Sequence, residues 1–220
     1  MAGTVTHLVI ADKLLSHFDI KNPALFYCGN LAPDAVMARV GYVREMKKHS
    51  HFRDNIPTND FHLEKYYHIY KKRFDDFKDR YLNKESKDYE WYLGYTVHIL
   101  ADEVFILTLR DRHVNNLIKS GLDASDKKYF AVFGHDVDLN DWRLVREYSF
   151  REKMPDILMQ TDGVDMGEYV TLQELKSSKE FIINKNFVQK HEIEAPQVFK
   201  FEENEAFIQN VVQYIEKITI

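Results

Sequence analysis

The stretch GYTVHILADEVF, residues 94–105, lies inside a run from Trp91 to Leu109 that is apolar almost all round, with formal charge only at Asp102 and Glu103. A solvent-facing helix would show a polar side, so the run predicts a buried central helix over about residues 89–119, stopped at Gly121. Burying an unpaired carboxylate costs several kcal/mol. Asp102 therefore needs a partner inside the fold. His98, four residues earlier, lies one helical turn below it, with Cβ atoms about 5–6 Å apart. The two can aim a ring nitrogen and a carboxylate oxygen at one ion, or simply bond each other. Glu103 points about 100° away round the helix and need not belong to that site.

What surrounds this helix is expected to be helical too. Eight Gly and five Pro in 220 residues are too few for turn-dense β architecture, and 45% apolar residues suffice for a bulky core. Residues 4–18 read as a helix capped by Thr4 or Thr6. NPALFYCGNLAPDAV reads as two short helical pieces, broken at Gly29–Asn30 and restarted at Pro33. Residues 43–60 look irregular, with Pro57 as a stop. Tyr67, Tyr70, Phe74, Phe77 and Tyr81 recur at helical steps between Asp60 and Leu82 and form a core stripe. DLNDWRLVREYSF (138–150) reads as a helix capped by Asp138 or Asn140. QTDGVDMGEY reads as a loop, and amphipathic helices are expected near 171–181 and 202–217. The result is an all-α bundle, residues 1–154, with a helical C-terminal appendage, 155–220, packed on it as one domain.

Charge and cysteine usage narrow the function. A net charge of −5 gives no footprint for nucleic acid. The single cysteine, Cys28, rules out an internal disulfide or a thiolate metal cluster and reads as a small core residue. MAGTVTHLVIADKLL lacks a basic leader, and no uncharged apolar segment reaches about 18 residues, so a cytoplasmic protein without a membrane span is expected. The oligomeric state is open.

Three further stretches carry groups suited to a metal. His7 opens an apolar helix, Asp34 follows Pro33, and KKHSHF supplies His49 and His51. Each has an ordinary alternative: a terminal histidine, a carboxylate complementing a helix dipole, and a loop histidine. Taken together, THLVIA, GNLAPDA, HSHF and GYTVHILADEVF resemble the zinc-dependent phospholipase C-like family of bacterial proteins. That family shares an all-helical fold with bacterial phospholipase C and the fungal zinc-dependent nucleases.

The resemblance covers about residues 4–110. It implies that Asp34, His51, His98 and Asp102 hold one zinc, with Asp102 able to bridge to a second metal at His7. His51 is preferred because the family ligand directly precedes Phe, and His49 is its reserve. Imidazole and carboxylate also suit iron or manganese. The family's third metal uses a histidine six residues after the helix aspartate. Thr108 stands there, no H-x-x-x-E pair exists, and His113 lies about 16 Å further along the helix. One or two ions are therefore expected. So is hydrolysis of a small phosphate ester by metal-activated water, with Asp34 and Asp102 as catalytic groups. Two alternatives remain: a metal that only staples the core, and an HD-type phosphohydrolase built on His135-Asp136, although AVFGHDVD reads as a loop leading into the next helix.

Overall fold

The computed structural model describes residues 2–148 and 152–218, and among them no strand occurs. Ten helices follow in order: α1 Thr4–Leu14, α2 Pro23–Ala35, α3 Arg44–Ser50, α4 Glu64–Tyr81, α5 Tyr89–Phe105, α6 Asp111–Lys119, α7 Lys127–Glu147, α8 Met154–Leu158, α9 Leu172–Ile182 and α10 Phe201–Lys217. The fold is all-α, as the sequence predicts. The central helix runs unbroken from Tyr89 to Lys119, α5 passing into α6 through a wide π-helical turn at Ile106–Arg110. It is long and apolar enough to cross a membrane, yet 78% of its most apolar window is buried by the rest of the fold. That is the position of a core helix.

α2 crosses α5 at very short range, and two glycines make the crossing possible. A Cβ on Gly29 would lie 1.9 Å from the Trp91 carbonyl oxygen, and one on Gly94 would lie 2.1 Å from that of Phe26. Gly29 is thus a point of close approach and not the expected break. α2 is one helix, capped by the Asn22 side chain, which accepts from Leu25 N at 3.2 Å. Pro33 falls inside its last turns instead of restarting it. Packing against α5 overrides the local breaker signals.

α1 is capped from outside, not by Thr4 or Thr6. The Asp141 carboxylate on α7 accepts from Val5 N at 2.9 Å and Thr6 N at 3.0 Å, and a Cβ on Gly3 would collide with it. These are amides that an isolated helix leaves unpaired. Asp141→Ala is expected to cost about 1–3 kcal/mol, read as a fall in the thermal midpoint, with Asp141→Asn recovering part of it.

The stretch GHDVD is not a loop. It lies within α7, which starts at Lys127 with Asp126 as its cap, accepting from Tyr129 N at 2.7 Å. Residues 149 and 150, the end of the predicted 138–150 helix, lie outside the described residues. Buried Asp136 accepts from the backbone amides of Gln197, Val198 and Phe199, and Asn140 donates to the Phe199 carbonyl, so this acidic face pins the segment leading to α10.

Residues 43–60 are more ordered than expected, holding α3 and a 3₁₀ turn at Thr58–Asp60. α4 begins at Glu64, and Tyr70, Phe74 and Phe77 of its stripe are buried. The hydroxyls of Tyr67 and Tyr70 donate to Glu103, which accounts for that carboxylate away from any ion. Beyond Pro155, α9 packs on α2, and α10 lies along α1, where Asn204 donates to the Thr6 hydroxyl.

Candidate metal centre

Four elements deliver five polar side chains to one point in the core. His7 comes from the first turn of α1, Asp34 from the last turn of α2, His51 from just after α3, and His98 and Asp102 from α5. The three histidines are each 1% exposed, Asp102 2% and Asp34 8%. Asp34 thus sits at a helix end, where the helix dipole disfavours a carboxylate; the expected favourable helix-start position is wrong.

The two imidazoles nearest the centre are held in one tautomer. His98 Nδ1 lies 2.8 Å from the Asn30 carbonyl oxygen, and His51 Nδ1 lies 2.8 Å from that of Lys47. Each contact requires the Nδ1 proton, leaving Nε2 with a bare lone pair. The two Nε2 atoms face each other at 3.3 Å. Facing lone pairs repel, and a cation between them would turn that repulsion into coordination. Donation from a ligand histidine's other nitrogen to a carbonyl is the usual outer support of a metal site.

Asp102 spans the centre. Its Oδ1 is 3.5 Å from His7 Nε2 and its Oδ2 is 3.4 Å from His51 Nε2, so its two oxygens serve two sides. The Ala2 backbone N–H also donates to Oδ1 at 3.4 Å. Asp34 Oδ1 lies 3.3 Å from His51 Nε2 and 3.7 Å from His98 Nε2. The His7 ring stacks on the His98 ring, centroids 3.8 Å apart. Two donor groups result, His7–His98–Asp102 and Asp34–His51–His98, each with ligand atoms within 4.8 Å of one another. His98 is common to both.

The residues fit a metal by a further test. His7 Nε2 and Asp102 Oδ2 are buried at the centre without a hydrogen bond. Buried polar groups normally find partners, and these two orphans beside the facing imidazoles suit an ion. The titration behaviour agrees. Burial pushes the Asp34 carboxyl up, but the Lys47 ammonium and the His51 and His98 rings outweigh it and hold it well below the usual range. Burial likewise opposes ionisation of Asp102, and the adjoining His51 and His7 rings outweigh it and hold it well below the usual range. Burial first, then neighbouring His7, pushes His98 well below its ordinary value. Donors free of protons are what a metal needs.

Lys47 is the residue that sequence reasoning missed. It is buried, with Nζ 2.5 Å from Asp34 Oδ1, four residues before His51 on α3. Nothing distinguishes it in sequence from its half-buried neighbour Lys48. His49, the reserve ligand, lies elsewhere: Nδ1 is 2.9 Å from Asp54 Oδ2 and its ring stacks on Tyr169. The His135-Asp136 pair does not assemble a site either, since His135 is exposed and Asp136 is occupied by backbone amides. Thr108 is exposed and bonds the Val104 carbonyl. His113 bonds the Tyr129 hydroxyl.

In comparisons with known proteins, the family model described as zinc dependent phospholipase C matches residues 6–141. That span is more than half of the 220 residues and contains all five converging side chains. No curated protein and no solved structure matches the chain.

Proposed function

The chain belongs to the zinc dependent phospholipase C family, and on that premise we propose that it hydrolyses a phosphodiester at a centre of one or two zinc ions. The observation that carries this reading is the convergence of buried histidine and aspartate donors where Asp34 opens onto a cavity of about 740 Å³. Asp34, His51, His98 and Asp102 would hold one ion, and His7 with Asp102 would hold a second. Bound zinc polarises a phosphoryl oxygen and lowers the pKa of water toward neutrality.

The chain's own groups do the rest. Asp102 supplies the charge that lets a dication sit in a low-dielectric core. Asp34, held ionised beside Lys47, is better suited to ligation than to taking a proton, because a carboxyl with so low a pKa is a weak base. Lys47 lines the cavity and offers its ammonium to the phosphoryl group. Phe130, Phe133, Val137, Phe181 and Ile182 line the same cavity and suit an apolar substrate portion such as the glyceride of a phospholipid.

The test is hydrolysis of bis(p-nitrophenyl) phosphate and of dihexanoylphosphatidylcholine. Turnover is expected to disappear on chelation and to return with zinc. Near-complete burial of the donors also favours a second reading, a zinc that only staples the core. That reading prevails if zinc, manganese and iron all leave both esters intact while zinc still raises the thermal midpoint.

A further inference from the structure

Beside the centre lies a second cavity, of about 310 Å³, and its wall is cationic. Arg44, Lys47, Lys48, Arg53 and Arg110 line it, with no carboxylate on the wall. In a chain of net charge −5 this concentration of positive charge runs against the overall balance. Lys47 is paired with Asp34, and Lys48 reaches Glu45 at 4.0 Å. Arg110 donates to the Asn59 side-chain oxygen and lies over the Phe130 ring, neither of which neutralises it. Exposed Arg44 has no carboxylate within ion-pair distance among the described residues. Burial and, after it, the charges of Arg44 and Arg53 lower the affinity of Arg110 for its proton. Holding like charges together costs stability unless an anion is bound there.

The scissile phosphodiester does not account for this charge. A diester carries one negative charge, which the proposed dications and Lys47 already meet. The cationic cavity shares Met37, Arg44, Lys47 and Arg110 with the larger one, so the two lie side by side against these residues. Its volume equals that of about ten waters at roughly 30 Å³ each, ample for a phosphate and its linkage. Guanidinium forks bind the oxygens of a phosphomonoester in pairs. A quaternary ammonium head group would meet only repulsion.

We propose that this cavity is an anion-recognition site that selects a second phosphate group, so that the substrate is a phosphodiester with a phosphorylated head group. The substrate clause rests on the hydrolase reading above; the anion site does not.

Two experiments separate them. Metal-free protein titrated calorimetrically with inorganic pyrophosphate is expected to bind one equivalent. Affinity should fall at least tenfold in Arg44→Gln, an exposed position, and binding should vanish in Arg44→Gln/Arg110→Gln. No binding by the wild type, or equal binding by the variants, overturns the site. With zinc loaded, kcat/KM for dihexanoylphosphatidylglycerol phosphate is expected to exceed that for dihexanoylphosphatidylcholine at least tenfold, and Arg44→Gln should erase the preference. A preference for choline, or a ratio unmoved by Arg44→Gln, overturns the substrate clause. The same head groups on deacylated glycerol distinguish a lipid from a soluble substrate. If neither ester is cleaved while pyrophosphate binding behaves as expected, the hydrolase reading fails and the anion site stands.

Discussion

Asp102→Asn is expected to lose at least one zinc equivalent and to reduce hydrolysis by on the order of 10²–10³, the equivalent of about 3–4 kcal/mol for breaking a buried charge pair. The reasoning is local. One carboxylate oxygen faces His7 and the other faces His51. An amide keeps one acceptor, replaces the other with an N–H₂ that repels a cation, and removes the charge that balances the ion. His7→Ala should be milder, sparing the ion assigned to Asp34, His51 and His98. Elemental analysis of the purified variants with circular dichroism of the chelated forms provides the measurement. Unchanged zinc stoichiometry in Asp102→Asn would sink the ligand assignment.

The largest effect on stability is expected at the helix crossing. Gly94→Ala places a methyl 2.1 Å from the Phe26 carbonyl oxygen and 2.9 Å from Asn30 N, both of them backbone and unable to rotate away. The helices must separate, at a cost of about 3 kcal/mol. For a chain of this size that is a fall in thermal midpoint of roughly 6–12 °C. Zinc affinity should fall with it, because α2 carries both Asp34 and the Asn30 carbonyl that fixes the His98 tautomer. Gly134→Ala is the control. Its Cβ would meet nothing within 4 Å, so the variant should gain about 1 kcal/mol from helix propensity. If both substitutions shift the midpoint alike, the crossing is not set by the glycine contacts.

The parts of the molecule legible in sequence were those whose physics is local. A charged pair in an apolar helical run marks itself, and so His98 and Asp102 could be found from spacing. Their partners could not, because His7, Asp34 and His51 look ordinary singly. Only the resemblance of the motif set implied that they meet. The misreadings share one cause. Gly29, Pro33 and Gly134 are breakers by propensity, yet each lies inside a helix, two of them because α2 packs hard on α5. Placing Asp34 at a helix start followed from reading Pro33 as a restart. Lys47 and the arginine group were illegible for another reason. Arg44, Lys47, Lys48 and Arg53 fall within one short stretch, but nothing near them announces that Arg110, from the central helix, joins them around a cavity.

The wide turn at Ile106–Arg110 lets a single rod run on two angular scales. A π-helical turn is equivalent to one extra residue in an α-helix, so everything beyond it is rotated by about 100° relative to a regular continuation. Upstream the rod aims His98 and Asp102 at the donor cluster; at the end of the turn it aims Arg110 into the cationic cavity. The two halves are mechanically continuous but rotationally decoupled. Shortening the turn by one residue would swing the guanidinium out of its cavity and leave the imidazole and carboxylate where they are. On the proposed reading, head-group preference can therefore change through the length of one turn, without any change in the donor residues.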